Sequence, residues 1–453
     1  MTAITRVAFI SEHASPIALL GGQDSGGQNV YVDEMSRHLA HLGFAVDVIT
    51  RRDRTDAHDV VDWAPGVRVV NLSAGPPQFV PKDELWPRMP EFRDALLRFM
   101  LRDGARYDVV HGNFWMSGWV GMQLRRRLGV PFVQLFHALG KTKRRHQGRA
   151  DTSPAGRVPV ELDIAREADR LIAQCPTERT ELIEEYRADP ERIAQIPAAA
   201  NCMRLHPLPR DEARRRIGLP VDGFVVVYVG RVLPRKDIRN VVRAFALLAR
   251  RMRAAPQGTG GEFAAMRRAE RIAGLRMLIV GGESDSPDPF DTPEIGALQT
   301  LSAELGVADR VTFAGKHQPD ELCAYYGAGD VVVTTPWYEP FGLTPLEAMA
   351  CGRPVIGSAV GGLTFTILDG ITGFLVPPRD PHALALRLQQ LLLQPELRIV
   401  MGQAARRRVE ATFTWDISAR RTAALYESLL AARRSSFRSN TPTTIAARHV
   451  SND

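Results

Sequence analysis

Lysine is the scarcest charged residue in this 453-residue chain, with five positions (82, 141, 143, 236 and 316) against 53 arginines. In a chain that uses arginine by default, a lysine marks a place where a compact ammonium is wanted instead of a planar fork. Cysteine is scarcer still, with four. Cys175, Cys202, Cys323 and Cys351 have no paired or metal-ligand spacing, which excludes a disulfide framework and a cysteine zinc site and suggests free thiols in a reducing compartment. No apolar run approaches the roughly 18 residues of a membrane span. The segment from Met1 to Arg6 leads directly into a strand, so a cytoplasmic protein is expected, with peripheral contact to a membrane surface left open. A G-x-G-x-x-G fingerprint is also missing, because the first Gly-rich loop places its glycines at 21, 22, 26 and 27. That disfavours a dinucleotide dehydrogenase. The net charge of +7 and pI near 9.5 invite a nucleic-acid reading. The arginines, however, are dispersed along helices such as RRRLG and ARRRIG without interleaved aromatics, so they read as solvated helix faces and no nucleic-acid partner is expected.

What the chain does have is centred on EPFGLTPLEAMACGRPVI, Glu339 to Ile356. An apolar strand, DVVVTTPWY, ends at Tyr338. Phe341, Gly342 and Leu343 then form a turn with bare backbone N–H groups, and TPLEAMACG reads as a helix stopped by Gly352 and Pro354. A helix N-terminus of this kind binds anionic phosphate through amides and dipole. Glu347, one turn inside, is suited to accept hydrogen bonds from ribose hydroxyls, and Glu339 from a sugar.

This stretch resembles the Glu-x7-Glu motif of the retaining family 4 glycosyltransferases, enzymes of the two-domain GT-B fold. The resemblance implies two Rossmann-like α/β domains with parallel sheets facing across a cleft. The strand and helix pattern agrees, since RVAFISEH, FAVDVITRR, YDVVHGN and PFVQLFH are apolar strands separated by helices, and GFVVVYVGR restarts the pattern at Gly223. Boundaries are expected at 1–205 for an acceptor-binding domain and 206–400 for a nucleotide-sugar-binding domain. Helices crossing back should occupy 401–432, and a disordered tail 433–453.

Arg231 and Lys236 match the Arg-x4-Lys pair that, by the resemblance, binds the donor diphosphate; two cations at a strand end suit the departing nucleotide's growing charge. Phe341, Gly342, Leu343, Thr344 and Glu347 complete the donor side. Lys316 resembles a position flanking the nucleotide base. In the first half, Gly26 and Gly27 open a helix whose amides can meet a phosphate or sugar oxygen, and Gln28 and Asn29 add amide groups. DSGGQ resembles the same loop in sucrose-phosphate synthases and in glycosyltransferases acting on inositol phosphate. The spacing of Lys82, Leu85, Trp86, Pro87, Glu91 and Phe92 matches plant-type sucrose-phosphate synthases, which implies that Lys82 holds an acceptor phosphate. Asn113 and Phe114 stand where relatives have His-Tyr or Asn-Tyr. HALGKTKRR places His137, Lys141 and Lys143 at a strand end; His137 and Lys143 match the sucrose-phosphate synthase pattern, in which the His lies beside the donor sugar, while Ala138 departs from it.

The resemblance thus implies transfer of a sugar from a nucleotide diphosphate sugar, UDP-glucose or a related UDP-sugar, with His137, Glu339, Arg231 and Lys236 as the catalytic set. The acceptor is expected to be small and phosphorylated, fructose 6-phosphate first, with inositol phosphate or a lipid or polysaccharide as alternatives. With no Asp-x-Asp motif, neither metal nor other cofactor is expected. A nucleotide-sugar-binding GT-B protein without catalysis, or a GT-B epimerase or phosphorylase, are the readings of other classes. Two local expectations complete the picture. Thr177 should cap the helix after the strand in ADRLIAQCPTERTELIEEY, and Pro197-Ala198-Ala199, which cannot take a positive φ cheaply, should alter the interdomain turn.

Overall fold

A computed structural model describes residues 5–17, 26–254 and 273–439. Gly21, Gly22 and nearly all of the insertion AAPQGTGGEF at 254–263 lie outside these residues.

Among the described residues the first sheet contains β1 (Arg6–Ile10), β2 (Ala45–Arg51), β3 (Val60–Ala64), β4 (Val67–Leu72), β5 (Val109–Asn113), β6 (Phe132–Leu135), β7 (Arg170–Ala173) and β8 (Ile193–Gln195). Their order is β3-β4-β2-β1-β5-β6-β7-β8. Every pairing is parallel except that of β3 with β4. The second sheet is parallel throughout, with β9 (Phe224–Val229), β10 (Leu275–Val280), β11 (Val311–Gly315), β12 (Val331–Thr334), β13 (Val355–Ser358) and β14 (Gly373–Val376) in the order β11-β10-β9-β12-β13-β14. The central strands are β-branched runs buried on both faces, such as FVVVYV of β9, because helices cover each side of a parallel sheet.

In each sheet the chain builds outward one way from the first strand and then returns to build the other way. The reversal falls between β1 and β5 in the first sheet and between β9 and β12 in the second. Ligands bind outside the carboxyl ends of strands at such a switch point. The four ends are Ser11 to His13, Asn113–Phe114, Gly230–Arg231 and Thr334–Thr335, and the two sheets turn them toward one another.

One apolar core lies on the outer side of each sheet, and a third is continuous through both domains. The shared core runs from Val7 and Tyr31 through Ile196 to Leu205 and on to Val227, Leu346 and Tyr426. Its crossing is made at Phe413 and Thr414. Ala200 donates from its N–H to the Phe413 carbonyl at 2.9 Å, and Ser418 Oγ to the Pro197 carbonyl at 2.7 Å. Pro197, Ala198 and Ala199 keep negative φ in this turn.

Two expectations are corrected. The terminal helix Trp415–Ser439 continues through 433–439, where a disordered tail was expected; residues 440–453 lie outside the described set. The helix Pro176–Glu184 is capped by Cys175, whose Sγ accepts from Glu178 N at 3.4 Å. Thr177 instead reaches across the cleft, its hydroxyl donating to the Gly361 carbonyl at 3.5 Å.

Candidate active site

The four strand ends enclose a cavity of about 390 Å³ whose lining comes from both domains. From the first come His13, Gly26, Gly27, Gln28, Lys82, Phe114 and His137; from the second, Arg231, Arg235, Lys236, Glu339, Phe341, Gly342, Leu343, Thr344 and Glu347.

On the second-domain side, β9 ends at Val229, and the short turn Pro234–Lys236 brings Lys236 back under the strand. Its Nζ donates to Glu339 Oε2 at 2.5 Å, with the two side chains 18% and 16% exposed, so solvent screens the pair only in part. Burial lowers the Lys236 pKa, and Arg235 and Arg231 push the same way against Glu339. The result is a cation that gains from a second anion. Arg235, which stacks 5.8 Å from the Tyr338 ring, adds a further positive charge to this wall.

Glu339 is held by the backbone behind it. Gly362 N donates to the Glu339 carbonyl at 2.9 Å, and a Cβ on Gly361 (φ +46°) would stand 2.2 Å from that carbonyl oxygen, so only glycine fits. Gly342, at φ +95°, opens the helix Leu343–Ala350. One turn in, Glu347 accepts from Tyr326 Oη at 2.6 Å, and burial raises its pKa.

The opposite wall begins with the helix Gly27–His41. Gly26 caps it, its N–H donating to Asn29 Oδ1 at 3.1 Å. A Cβ on Gly27 would lie 3.1 Å from Leu343 Cδ1, so the two helix N-termini approach across the cleft because this residue has no side chain. Gln28 Nε2 donates to Ser11 Oγ at 3.2 Å and to the Asn113 carbonyl at 3.4 Å. His137 sits at φ +60° and donates from Nε2 to Asn113 Oδ1 at 3.1 Å. Burial, with His111 and His13 nearby, pushes its pKa down to about 3, so the imidazole is neutral.

Several of the expected site residues stand apart. Asn113 is absent from the cavity lining, and its Oδ1 accepts from His137. Lys141 donates from Nζ to the Glu185 carbonyl and lies over the Tyr186 ring at 5.1 Å. Lys143 pairs with Asp151 at 3.1 Å and Asp83 at 3.6 Å, beside the turn that carries Lys82. Lys316 follows β11 away from the cavity lining, its N–H on the Ser284 carbonyl at 2.9 Å. Among the described residues no group of three or more His, Cys, Asp or Glu is arranged to hold a metal ion, and no helix is long and apolar enough to cross a membrane.

Sequence reasoning missed three features. His13 lines the cavity and pairs through Nδ1 with the fully buried Glu12 at 2.7 Å, while Ser117 donates its hydroxyl to the other Glu12 oxygen. The available signal was its place at the end of the first strand. Arg235 is hidden within the Arg-x4-Lys spacing. The buried pair Arg157–Glu161, at 2.8 Å, fixes the loop of His137: Arg157 donates to the Ala138 carbonyl at 2.5 Å, and Glu161 accepts from Gly140 N at 3.0 Å.

Residues 209–408 match the family described as Glycosyl transferases group 1, and residues 26–199 match the Glycosyl transferase 4-like domain. The D-inositol 3-phosphate glycosyltransferase of Acidothermus cellulolyticus is 40% identical over 95% of this chain and 91% of its own length. Its namesake from Thermobispora bispora is 37% identical over 94% and 95%. Among solved structures, the sucrose-phosphate synthase of Thermosynechococcus elongatus superposes with a TM-score of 0.82 at 36% identity, over 94% of this chain and 100% of the other. The GT-B architecture is therefore common to this chain and these proteins.

Proposed function

The chain is a glycosyltransferase belonging to the group 1 family, and from that premise we propose that it moves a sugar from a UDP-sugar to a small phosphorylated polyol, with retention at the anomeric carbon. The observation that carries this reading is the convergence of cations from both domains on one cavity: Arg231, Arg235 and Lys236 on one wall and Lys82 on the other.

In this reading the bond from the anomeric carbon to the diphosphate oxygen breaks as the acceptor hydroxyl oxygen bonds to that carbon on the same face. The hydroxyl proton leaves with the diphosphate. Arg231 and Lys236 stabilise the negative charge growing there, a task for which preorganised cations suffice, so no divalent cation is needed. Lys236 is released from Glu339 as the diphosphate arrives, and Glu339 turns to sugar hydroxyls. Glu347, oriented by Tyr326, accepts from the ribose. The neutral His137 holds the donor's reacting face as a hydrogen-bonding group and takes no proton. Lys82 receives the acceptor phosphate, with Lys143 next to it through Asp83.

Inositol phosphate is the first acceptor in this reading, supported by relatives at 37–40% identity named for it. Fructose 6-phosphate is the second, supported by 36% identity to sucrose-phosphate synthase. Nucleotide release from UDP-, GDP- and ADP-sugars, each with inositol 3-phosphate, fructose 6-phosphate or neither, separates them. Release that requires inositol phosphate upholds the first reading. Release with fructose 6-phosphate alone replaces it with the second, and tight nucleotide-sugar binding without release under any pairing refutes both.

A further inference from the structure

A second cavity, of about 730 Å³, lies at the other end of the second sheet and is lined by five arginines, at 210, 353, 398, 406 and 407, against the carboxylates of Asp211 and Asp330. Asp330 directly precedes β12, whose far end, Thr334, lines the catalytic cavity. At about 3.3 Å per residue the two sites stand roughly 13 Å apart along one strand.

The charges here do not balance. Asp330 is buried and already accepts from Val225 N at 2.8 Å. Around the same carboxylate stand Arg214 at 2.7 Å, Arg210 at 3.4 Å and Arg398 at 3.5 Å. Two further carboxylates each take one guanidinium, Asp211 on Arg210 at 3.3 Å and Glu410 on Arg406 at 2.6 Å, so three carboxylates face six guanidiniums, at 210, 214, 353, 398, 406 and 407. Backbone carbonyls hold some of their N–H groups: Arg353 donates to Leu208 O at 2.9 Å, and Arg406 to Leu205 O at 2.8 Å and Ala350 O at 2.6 Å. These bonds fix the guanidiniums without removing their charge. Arg353 Nε is buried with no hydrogen-bond partner among the described residues. Burial lowers the Arg353 pKa, and Arg210 and Arg214 add to that against Asp330. Into the same space points the first turn of the helix Pro395–Thr412, which adds the positive end of its dipole.

We propose that this cavity is a binding site for a small molecule carrying two or more phosphate charges, separate from the donor and acceptor sites. Its size admits a diphosphate with an attached group, and the planar guanidiniums of its lining suit bidentate phosphate contacts. The position also gives binding a route to the cleft. The walls include Pro207 and Pro209 in the interdomain linker, Gly352 at the end of the helix bearing Glu347, and Arg406 on the helix that feeds the crossing at Thr414.

The test is calorimetric titration of the full chain with inorganic pyrophosphate, in wild type, in Lys236→Gln and in the exposed rim variant Arg407→Gln, alone and combined with Arg210→Gln. Wild type should show two classes of site. Lys236→Gln should weaken only the class in the catalytic cavity. Arg407→Gln should weaken the other three- to tenfold, and the double variant at least tenfold, with circular dichroism and UDP binding unchanged. Loss of the second class in the arginine variants while Lys236→Gln leaves both intact would uphold this site and remove the diphosphate role of Lys236. A single class abolished by Lys236→Gln, or pyrophosphate affinity indifferent to both arginine substitutions, would overturn the proposal.

Discussion

Replacing Lys236 by alanine removes the cation that bridges the two functions of the second-domain wall. Its ammonium lies 2.5 Å from Glu339 Oε2 with both side chains more than four-fifths covered, so its field is stronger than that of a surface lysine. A unit charge about 4 Å from another at an effective dielectric near 20 contributes roughly 4 kcal/mol. Loss of one preorganised stabilising group of this kind typically lowers turnover by about 10²–10³. We therefore expect kcat/KM for the nucleotide sugar to fall by about 10²–10³ in Lys236→Ala. Lys236→Arg should recover only part, because the planar fork cannot occupy the compact ammonium's place. The same change leaves Glu339 without its partner, and a partly buried carboxylate so exposed should cost about 1–3 kcal/mol of stability. Steady-state nucleotide release gives the first quantity and denaturant unfolding the second. A kcat/KM within fivefold of wild type in a folded Lys236→Ala protein would refute the charge argument, whatever the stability change.

Tyr326→Phe removes the 2.6 Å hydrogen bond to Glu347. Donor KM should rise several-fold, about 1 kcal/mol, with kcat little changed; an unchanged KM would show that Glu347 needs no orienting partner. Glu178 is buried, and desolvation raises its pKa to about 8. Since the folded state holds that proton more tightly than an unfolded chain with a pKa near 4.5, stability should fall as pH climbs from about 4.5 to about 8. One proton gives about 1.4 kcal/mol per pH unit, and Glu178→Gln should flatten the slope in thermal melts between pH 6 and 8. His111 and His137 are both pushed down to about 3 by burial, the opposite case: an unfolded histidine takes a proton near pH 6.5, so both contribute a loss of stability as pH drops below 6.5. The ring signals of His137 should stay constant in NMR from pH 5 to 8, and a titration within that range would remove its assignment as a neutral group. Gly361→Ala puts a Cβ 2.2 Å from the Glu339 carbonyl; donor affinity should drop at least tenfold, and native affinity would show that the turn yields freely.

The two sheets and their shared cleft were legible because buried parallel strands are apolar runs, and because the turn at Phe341–Leu343 and the lysine at 236 each carry a physical signature in a few residues. Buried polar pairs were not. Arg157 and Glu161 stand four apart on a helix, the spacing of an ordinary solvated pair, yet both are buried because Glu161 accepts from Gly140 N and Arg157 donates to the Ala138 carbonyl. The charge run after His137 looked like one positive patch, whereas Glu185, Asp151 and Asp83, distant in sequence by up to sixty residues, draw its lysines apart. The antiparallel β3 escaped notice because VVDWA is short and half-exposed, with weak alternation. Cys175 replaced Thr177 as a cap because the helix begins at Pro176, two residues earlier than the threonine suggests. Glu12 and His13 are ordinary residues at a strand end, and only the switch point between β1 and β5 gives them meaning.

The most direct measurement is proton NMR of the product formed from an α-linked UDP-sugar and inositol 3-phosphate in the presence of excess EDTA. The account predicts an α-linked glycoside formed at the rate seen without chelator. A β-linked product, or transfer abolished by EDTA and restored by a divalent cation, would contradict it.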